Sequence, residues 1–329
     1  MPIPLKSAAG MLALVVLGCA GCATSSDTRS ATRSAAPSDT DYAPYVSAST
    51  AYATDSAGSP DAYNLAFVVA NGTGCTPSWG GHSKIDAAGV TSRIKKLSSS
   101  DGTLRVSFGG ASGSELATTC DTASDLAAAY AEALDAAGGA THADFDIEGD
   151  TLKDSAANTR RAEAIALLQK QRDVDVTFTL PVMPSGLDDD SVDLLEAANN
   201  QSVQVSTVNI MTMNYGESYQ GDMSDYARTA AKATHTQLEK VFGLSDEKAW
   251  RGMALTSMLG VNDIDGETFT LADAAQLRTF AEKKGIAWVS TWATFRDAPC
   301  ESGTDTDDAA TNCSGVRQSE GAYGRALSG

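Results

Sequence analysis

From residue 45 onward, short β-branched and aromatic runs alternate with longer Ala-rich stretches. The runs are Tyr45–Ala48, Leu65–Val69, Leu104–Phe108, Ala143–Ile147, Val174–Leu180, Val205–Met211, Met253–Met258 and Ile286–Trp292. Each is short, apolar and bounded by polar or Gly positions, which is how a buried strand reads. The intervening stretches carry helical spacing. Leu126, Tyr130 and Leu134 recur every four residues, and Ala162, Ile165 and Leu168 every three. Val192, Leu195 and Ala198 repeat the pattern, as do Leu271, Ala274 or Ala275, and Phe280. Ser245-Asp246-Glu247-Lys248 reads as a helix start, and Gly285 after Lys283-Lys284 as a helix stop with cations in the last turn. Eight strands with helices between them predict a single (β/α)8 TIM barrel of α/β class. A doubly wound sheet is the competing arrangement. It is weakened because no GxGxxG or Walker pattern follows any strand.

The beginning of the chain has a different character. Lys6 precedes the apolar run Met11–Leu17, far short of the ~20 apolar residues that span a bilayer. It reads as the h-region of an export signal. Leu17-Gly18-Cys19-Ala20-Gly21-Cys22 is similar to a bacterial lipoprotein signal, with Cys22 or Cys19 as the acylated residue. Simple secretion with cleavage near Ala23 is the alternative. The Ser, Thr, Ala and Asp residues that follow carry too little apolar surface to offset their ordering entropy. The expected organisation is therefore a signal peptide over 1–21, a flexible linker over 22–41 and a single folded domain over 42–329. The expected location is exported, at the cell surface or secreted.

Composition narrows the partners. The 329 residues are 42% hydrophobic and 20% charged, ordinary for a globular chain. Lys and Arg number 24 against 42 Asp and Glu, a formal charge of −18. Phosphate-rich partners would be repelled, so nucleic acid is not expected and membrane contact is expected only through the lipid. No later run is long enough to span a membrane. Three histidines, and no CxxC pair in the folded part, leave no metal site or cofactor to expect. Cys75, Cys120, Cys300 and Cys313 are an even set in an exported chain and read as disulfides. Three pairings are open; Cys300 with Cys313 would close an Asp- and Thr-rich segment that has nothing else to pack. A monomer is expected.

The chemistry lies at the end of the fourth run. In a barrel of this type reactive side chains gather at the C-terminal ends of the strands. There the chain reads Asp144-Phe145-Asp146-Ile147-Glu148-Gly149. Acids at i, i+2 and i+4 of a strand share a face, while Phe145 and Ile147 take the other. Three inward carboxylates repel and lose hydration, which raises at least one pKa and suits a proton donor.

These residues resemble the catalytic signature of glycoside hydrolase family 18, the chitinases and their relatives. The fuller family pattern is D-x-x-D-x-D-x-E, and Thr141 stands where its first Asp would be. Ser107-Phe108-Gly109-Gly110 resembles the family's third-strand S-x-G-G. Asn209–Tyr215 is similar to the sixth-strand motif of a bacterial chitinase branch, with Asn214 in place of the usual Asp. Cys75–Gly81, Leu259–Asp263 and Val289–Asp297 are similar to the same branch. The resemblance covers about residues 42 to 300.

The resemblance implies a retaining chitinase-like hydrolase acting on β-1,4-linked N-acetylglucosamine by substrate-assisted catalysis, an exception to the two-carboxylate scheme. Glu148 would be the general acid. Asp146 would orient the substrate acetamido group, and Asp144 would lie below it and share a proton with it. Trp292 would floor the sugar at the cleavage site, with Trp288 as core. Tyr215 and Asn214 would bind the acetamido group or the intermediate. Met213 is counted with the substrate-binding candidates, although with Met211 it also suits barrel filling. Gly109 and Gly110 would leave room for substrate. Trp79 reads equally as an outer sugar platform or as loop cover.

The remaining features receive plainer readings. His142 is expected as a packed histidine low in the barrel, His82 in a loop and His235 on a helix surface. Asp188-Asp189-Asp190 reads as a solvated helix N-terminus in preference to a calcium site. Two further functions stay open beside the chitinase-like one. One is an endo-β-N-acetylglucosaminidase acting on another acetamido glycan. The other is a catalytically silent carbohydrate-binding surface lipoprotein.

Overall fold

The eight β-rich runs become parallel strands wound into a closed TIM barrel in the computed structural model, which describes residues 40–99, 102–304 and 312–329. Strand β1 comes in two pieces, Asp41–Tyr42 and Tyr45–Ser47. The others are β2 (Ala62–Ala70), β3 (Thr103–Gly109), β4 (His142–Asp146), β5 (Asp175–Pro181), β6 (Val205–Met211), β7 (Met253–Met258) and β8 (Trp288–Trp292). The break at Ala43-Pro44 is what closes the ring: Asp41 and Tyr42 pair with β8, while Tyr45 to Ser47 pair with β2. Closure pairs every barrel strand on both sides, and the end of β2 also carries a short antiparallel hairpin, Pro77–Trp79 with Ser83–Lys84.

The folded part therefore begins slightly before residue 42. Thr40 is buried and its hydroxyl donates to the Ile286 carbonyl at 2.9 Å. Thr40 and Asp41 thus belong to the barrel and not to the linker. The signal peptide, the rest of the tether, and both lipidation candidates, Cys19 and Cys22, lie outside the described residues.

Six long helices alternate with the strands: α1 (Ala88–Ser98), α2 (Ala123–Ala136), α3 (Ser155–Gln171), α4 (Asp189–Asn200), α5 (Met223–Phe242) and α6 (Leu271–Lys284). Their starts are written in side chains. Thr122, Asp154, Asp188, Asp222 and Thr270 each accept a backbone N–H of the first turn. Gly243 and Gly285 end α5 and α6 in the left-handed conformation. After β1 there is only a 3-10 turn, Ala53–Ser56, and α7 (Ala322–Ser328) packs against α6 and beside β1 and β8.

The core lies between strands and helices. Val106, Phe108, Phe145, Ile147, Val176, Phe178, Val208 and Ile210 point outward and are at most 1% exposed. Phe108 and Phe145 stack at 5.3 Å, with Tyr130 of α2 edge-on to Phe145 at 5.0 Å. The inward positions between them are polar. Ser107, Asp144, Thr179, Asn209, Thr256 and Ser290 fill the barrel interior. Below them Arg105 donates to Asn64 Oδ1 at 2.5 Å and lies over the Trp288 ring at 4.6 Å. Trp288 is thus core.

Two disulfides form, Cys75–Cys120 and Cys300–Cys313. No helix among the described residues is long and apolar enough to cross a membrane. His235 departs from its expected surface position: it is buried and stacks on Trp250 at 4.2 Å, with a ring nitrogen 3.0 Å from the Asp246 carbonyl. His142 is half-buried at the base of β4 and faces Asp175 across 3.2 Å.

Candidate active site

The parity expected of the fourth strand is present. Asp144 pairs in register with Ser107 of β3 and Thr177 of β5, and Asp146 with Gly109 and Thr179. Phe145 and Ile147 face the helices and are fully buried. The acids therefore rise up the barrel interior in order: Asp144 sealed inside, Asp146 5% exposed, and Glu148 at the mouth with intermediate exposure.

Asp144 is held by three hydroxyls. Ser107 donates to Oδ2 at 2.5 Å, Tyr45 to Oδ2 at 2.9 Å, and Thr179 to Oδ1 at 2.7 Å. A polar chain feeds the last donor. Thr256 donates to Asn209 Oδ1 at 2.9 Å, and Asn209 Nδ2 donates to Thr179 at 2.9 Å. Every proton in that chain points toward Asp144, which favours its anion. The Arg105 charge below acts in the same direction.

Burial opposes ionisation of both inner acids. It pushes Asp144 up, and the three hydroxyls and Arg105 pull it partly back. Asp146 has no such compensation. Burial, then the Glu148 and Asp144 charges, push it well above the usual carboxylate range. Asp146 is therefore the harder of the two to ionise. Its Oδ1 is buried without a hydrogen-bond partner. A buried polar atom left unpaired inside a cleft is poised for a ligand. Glu148 is also raised, first by burial and then by Asp263.

Asp146 and Glu148 open into one cleft of about 360 Å³. Tyr45, Phe67, Thr179, Asp188, Met211, Met213, Asn214, Thr256, Asp263 and Trp292 are among its walls. The acids on these walls are Asp146, Glu148, Asp188 and Asp263, and no Lys, Arg or His is among the lining residues. Trp292 stacks on Phe67 at 5.4 Å with 26° between the planes, giving the cleft an aromatic floor. The peptide bonds Ala66–Phe67 and Trp292–Ala293 are cis. An acid that keeps its proton, an orphaned polar atom and an indole floor together suit a polyhydroxylated ring carrying an amide.

The structure brings Asp144, Asp146, Glu148, Trp292, Asn214 and Met213 together. Four other candidates sit elsewhere. Trp79 is 2% exposed and donates its indole N–H to the Ile85 carbonyl at 3.2 Å, so it covers core and offers no sugar platform. Gly109 and Gly110 make room for protein, not substrate. A Cβ on Gly109 would lie 2.1 Å from the Asp146 carbonyl oxygen, and one on Gly110 would lie 2.7 Å from the Phe67 ring. Tyr215 is 4% exposed, packs against Tyr219 and Tyr226, and does not line the cleft. Thr141, at the missing outermost Asp position, lies exposed at the opposite end of β4, away from the cleft.

Five of the wall residues named above had no role in the sequence reading: Tyr45, Phe67, Thr179, Thr256 and Asp263. For Tyr45 and Thr179 the signal existed, since both occupy inward positions of their strands. Asp188, read as part of a helix start, both caps α4 through the Ser191 N–H at 2.9 Å and lines the cleft.

Comparison with known proteins agrees with this geometry. The chain is 32% identical over 278 residues to a probable bifunctional chitinase/lysozyme of Escherichia coli (strain K12), covering 78% of this chain and 31% of that one. It is 32% identical over 253 residues to endochitinase 11 of Metarhizium anisopliae, covering 72% of this chain and 48% of that one. The chain thus spans just under a third of the length of the first of these curated relatives and just under half of the second. Among solved structures, the catalytic domain of a hyperthermophilic chitinase from Pyrococcus furiosus superposes with a TM-score of 0.77 at 28% identity. That match covers 88% of this chain and 94% of the other. No family model matches the chain.

Proposed function

Starting from a chain that belongs to the chitinase-like proteins of glycoside hydrolase family 18, we propose that it hydrolyses β-1,4-linked N-acetylglucosamine chains with retention of configuration. The observation that carries the reading is the pairing of Glu148 with the unpartnered Asp146 Oδ1 in one cleft. Glu148 gives its proton to the glycosidic oxygen as the bond to the anomeric carbon breaks. The oxygen of the substrate's own 2-acetamido group attacks that carbon from the other face and forms an oxazolinium ion. Asp146 accepts the acetamido N–H and steadies the developing cation. The proton that Asp146 held passes to Asp144, whose own pKa burial already raises. Glu148, now a carboxylate, removes a proton from the water that opens the ring. One protein acid then serves both steps, and Trp292 packs the sugar face during them.

The test is hydrolysis of the N-acetylglucosamine tetramer to hexamer by the purified protein, with product anomers read early by NMR. The β-anomer is expected. Glu148→Gln is expected to lose a factor of roughly 10² or more in kcat while still binding the oligomers. An α-anomer product, or a Glu148→Gln variant as active as wild type, refutes the mechanism. Oligomers that bind and stay intact in the wild-type protein would make it a sugar-binding protein.

We also propose export and lipid anchoring at Cys22 or Cys19, supported by the apolar run and the small residues before each cysteine. Mass spectrometry of the N-terminal peptide from expressed protein decides it: a diacylglyceryl mass on either cysteine supports the anchor, and a lipid-free N-terminus at Ala23 or Thr24 does not.

A further inference from the structure

Two residues at the cleft mouth form a unit that the proposed hydrolysis has not used. Asn214 lies just past the end of β6, and Asp263 lies on the short hairpin of Gly260–Val261 with Thr268–Phe269 that follows β7. They are 49 residues apart in sequence and bond to each other twice. Asn214 Nδ2 donates to Asp263 Oδ2 at 2.9 Å, and the Asp263 backbone N–H donates to Asn214 Oδ1 at 3.1 Å. Both line the cleft with Glu148.

Each partner is held from behind. Asn214 has φ 55°, a left-handed conformation that Asn tolerates better than most residues. The loop after it is tied by the Gly216 N–H to Glu267 Oε1 at 2.7 Å. The hairpin is tied by the Asn262 side chain, which donates to the Met258 and Gly260 carbonyls at 3.1 and 2.9 Å. An exposed aspartate would otherwise turn toward water, where its field is screened. An aspartate at 214 would offer no N–H and would repel Asp263. The Asn in the sixth-strand motif is therefore matched to the carboxylate across from it.

The other charges near Glu148 do not take its place. Asp144 and Asp146 lie below it on β4, and Asp146 keeps its proton longest of the pair. Asp188 faces the cleft from the loop after β5, but it caps α4, whose N-terminal N–H groups offset its charge. Asp150 and Lys153 on the short helix after Glu148 face each other across 3.7 Å in solvent. Tyr45 is committed to Asp144. Asp263 is thus the one wall carboxylate that is both fixed and uncompensated among the described residues.

We propose that Asp263, clamped by Asn214, is a positioning residue for the proton on Glu148: a fixed anion across the cleft makes loss of that proton costly and keeps the acid loaded to higher pH than it would be without it. Removal of the Asp263 charge lets Glu148 ionise at lower pH. Because the acid must be protonated to act, the alkaline limb of the pH–rate profile then moves to lower pH.

The inference rests on the proposed hydrolysis for its purpose but not for its test. The titration of Glu148 is read directly by carbon NMR of protein labelled at the glutamate carboxyl carbon, with Glu148→Gln giving the assignment. Wild type, Asp263→Asn and Asn214→Gly are compared. Asp263→Asn keeps the shape and a side-chain acceptor for Asn214; Asn214→Gly keeps the left-handed backbone but releases the clamp. Both variants are expected to titrate Glu148 at lower pH than wild type, Asp263→Asn by more. On N-acetylglucosamine pentamer, kcat/KM of Asp263→Asn should match wild type on the acid side and fall on the order of three- to tenfold on the alkaline side. An unchanged Glu148 titration in Asp263→Asn overturns the proposal, as does an activity loss equal at every pH. If the wild-type protein hydrolyses nothing, the proposed function fails while the titration still decides the role of Asp263.

Discussion

The Tyr45 hydroxyl donates to Asp144 Oδ2 at 2.9 Å, which ties the strand that closes the barrel to the strand that carries the acids. Tyr45 is 1% exposed and Asp144 fully buried, so no water replaces that bond if it is lost. Tyr45→Phe leaves Asp144 with Ser107 and Thr179 alone and makes its anion harder to hold. We expect a loss of about 1–3 kcal/mol in unfolding free energy, the cost of removing a hydrogen bond to a buried charged group. We also expect kcat to change more than KM, because a less stable Asp144 anion alters how the proton is divided between Asp144 and Asp146, on which the proposed mechanism depends. Urea unfolding and steady-state kinetics on the same variant check both.

Asp146 makes stability depend on pH in an unusual direction. Its folded-state pKa is raised above the unfolded value, chiefly by burial. Below about pH 3.9, the ordinary value for an aspartate, the residue is protonated in both states and costs nothing. As pH rises from there toward the folded pKa, the unfolded chain releases the proton and the folded one does not, so stability falls. Asp146→Asn removes that titration. The variant should melt above wild type at pH 7, by about 2–4 °C for each 1 kcal/mol recovered. The two should converge in acid. Differential scanning at several pH values checks this, and a variant less stable than wild type at every pH refutes it.

The barrel and its acids were legible because they follow period two. Phe145 and Ile147 against Asp144, Asp146 and Glu148 leave one consistent facing, and the paired positions Ser107 and Thr179 obey the same rule. The first strand was harder, because Ala43-Pro44 interrupts it and leaves Asp41, the first residue of its short first piece, in what reads as linker. Trp79 and Trp292 show a second limit. Both are tryptophans that end a strand, and only the fold decides that one indole N–H meets the Ile85 carbonyl while the other ring lines the cleft. The Asn214–Asp263 contact lies beyond any local pattern, since neither residue has a partner within its own segment that would announce it.

Gly109 is required by Asp146 and not by substrate. Its φ is 98°, and a Cβ there would lie 2.1 Å from the Asp146 carbonyl oxygen. That oxygen also accepts the Gly110 N–H at 2.9 Å, the bond that joins the top of β3 to the acid-bearing strand. Gly109→Ala has both strained backbone and a clash with main chain, neither of which a side-chain rotation relieves. We expect at least about 2 kcal/mol of destabilisation. In whatever fraction folds, kcat should fall, because Asp146 has to move. Circular dichroism melting together with activity per folded molecule checks this; a fully stable, fully active variant refutes it.

Two tryptophan variants separate the surface proposed to meet sugar from the core beside it. Trp292 is partly exposed, stacks on Phe67 and lines the cleft, so its ring face remains available to a pyranose. Trp292→Ala removes that face but little core. It should weaken oligomer binding by roughly 1–3 kcal/mol, the range for burying a large apolar side chain against a partner, with a smaller change in melting temperature. Trp79 is 2% exposed and lies outside the cleft wall. Trp79→Ala opens a cavity and frees the Ile85 carbonyl, so it should cost about 3–5 kcal/mol of stability. Its effect on KM in the remaining folded protein should be slight. Isothermal titration of a chito-oligosaccharide into each variant, beside its unfolding curve, distinguishes the two. If Trp79→Ala lost binding without losing stability, the indole would be meeting sugar after all, and the buried position described for it would be wrong for the liganded protein.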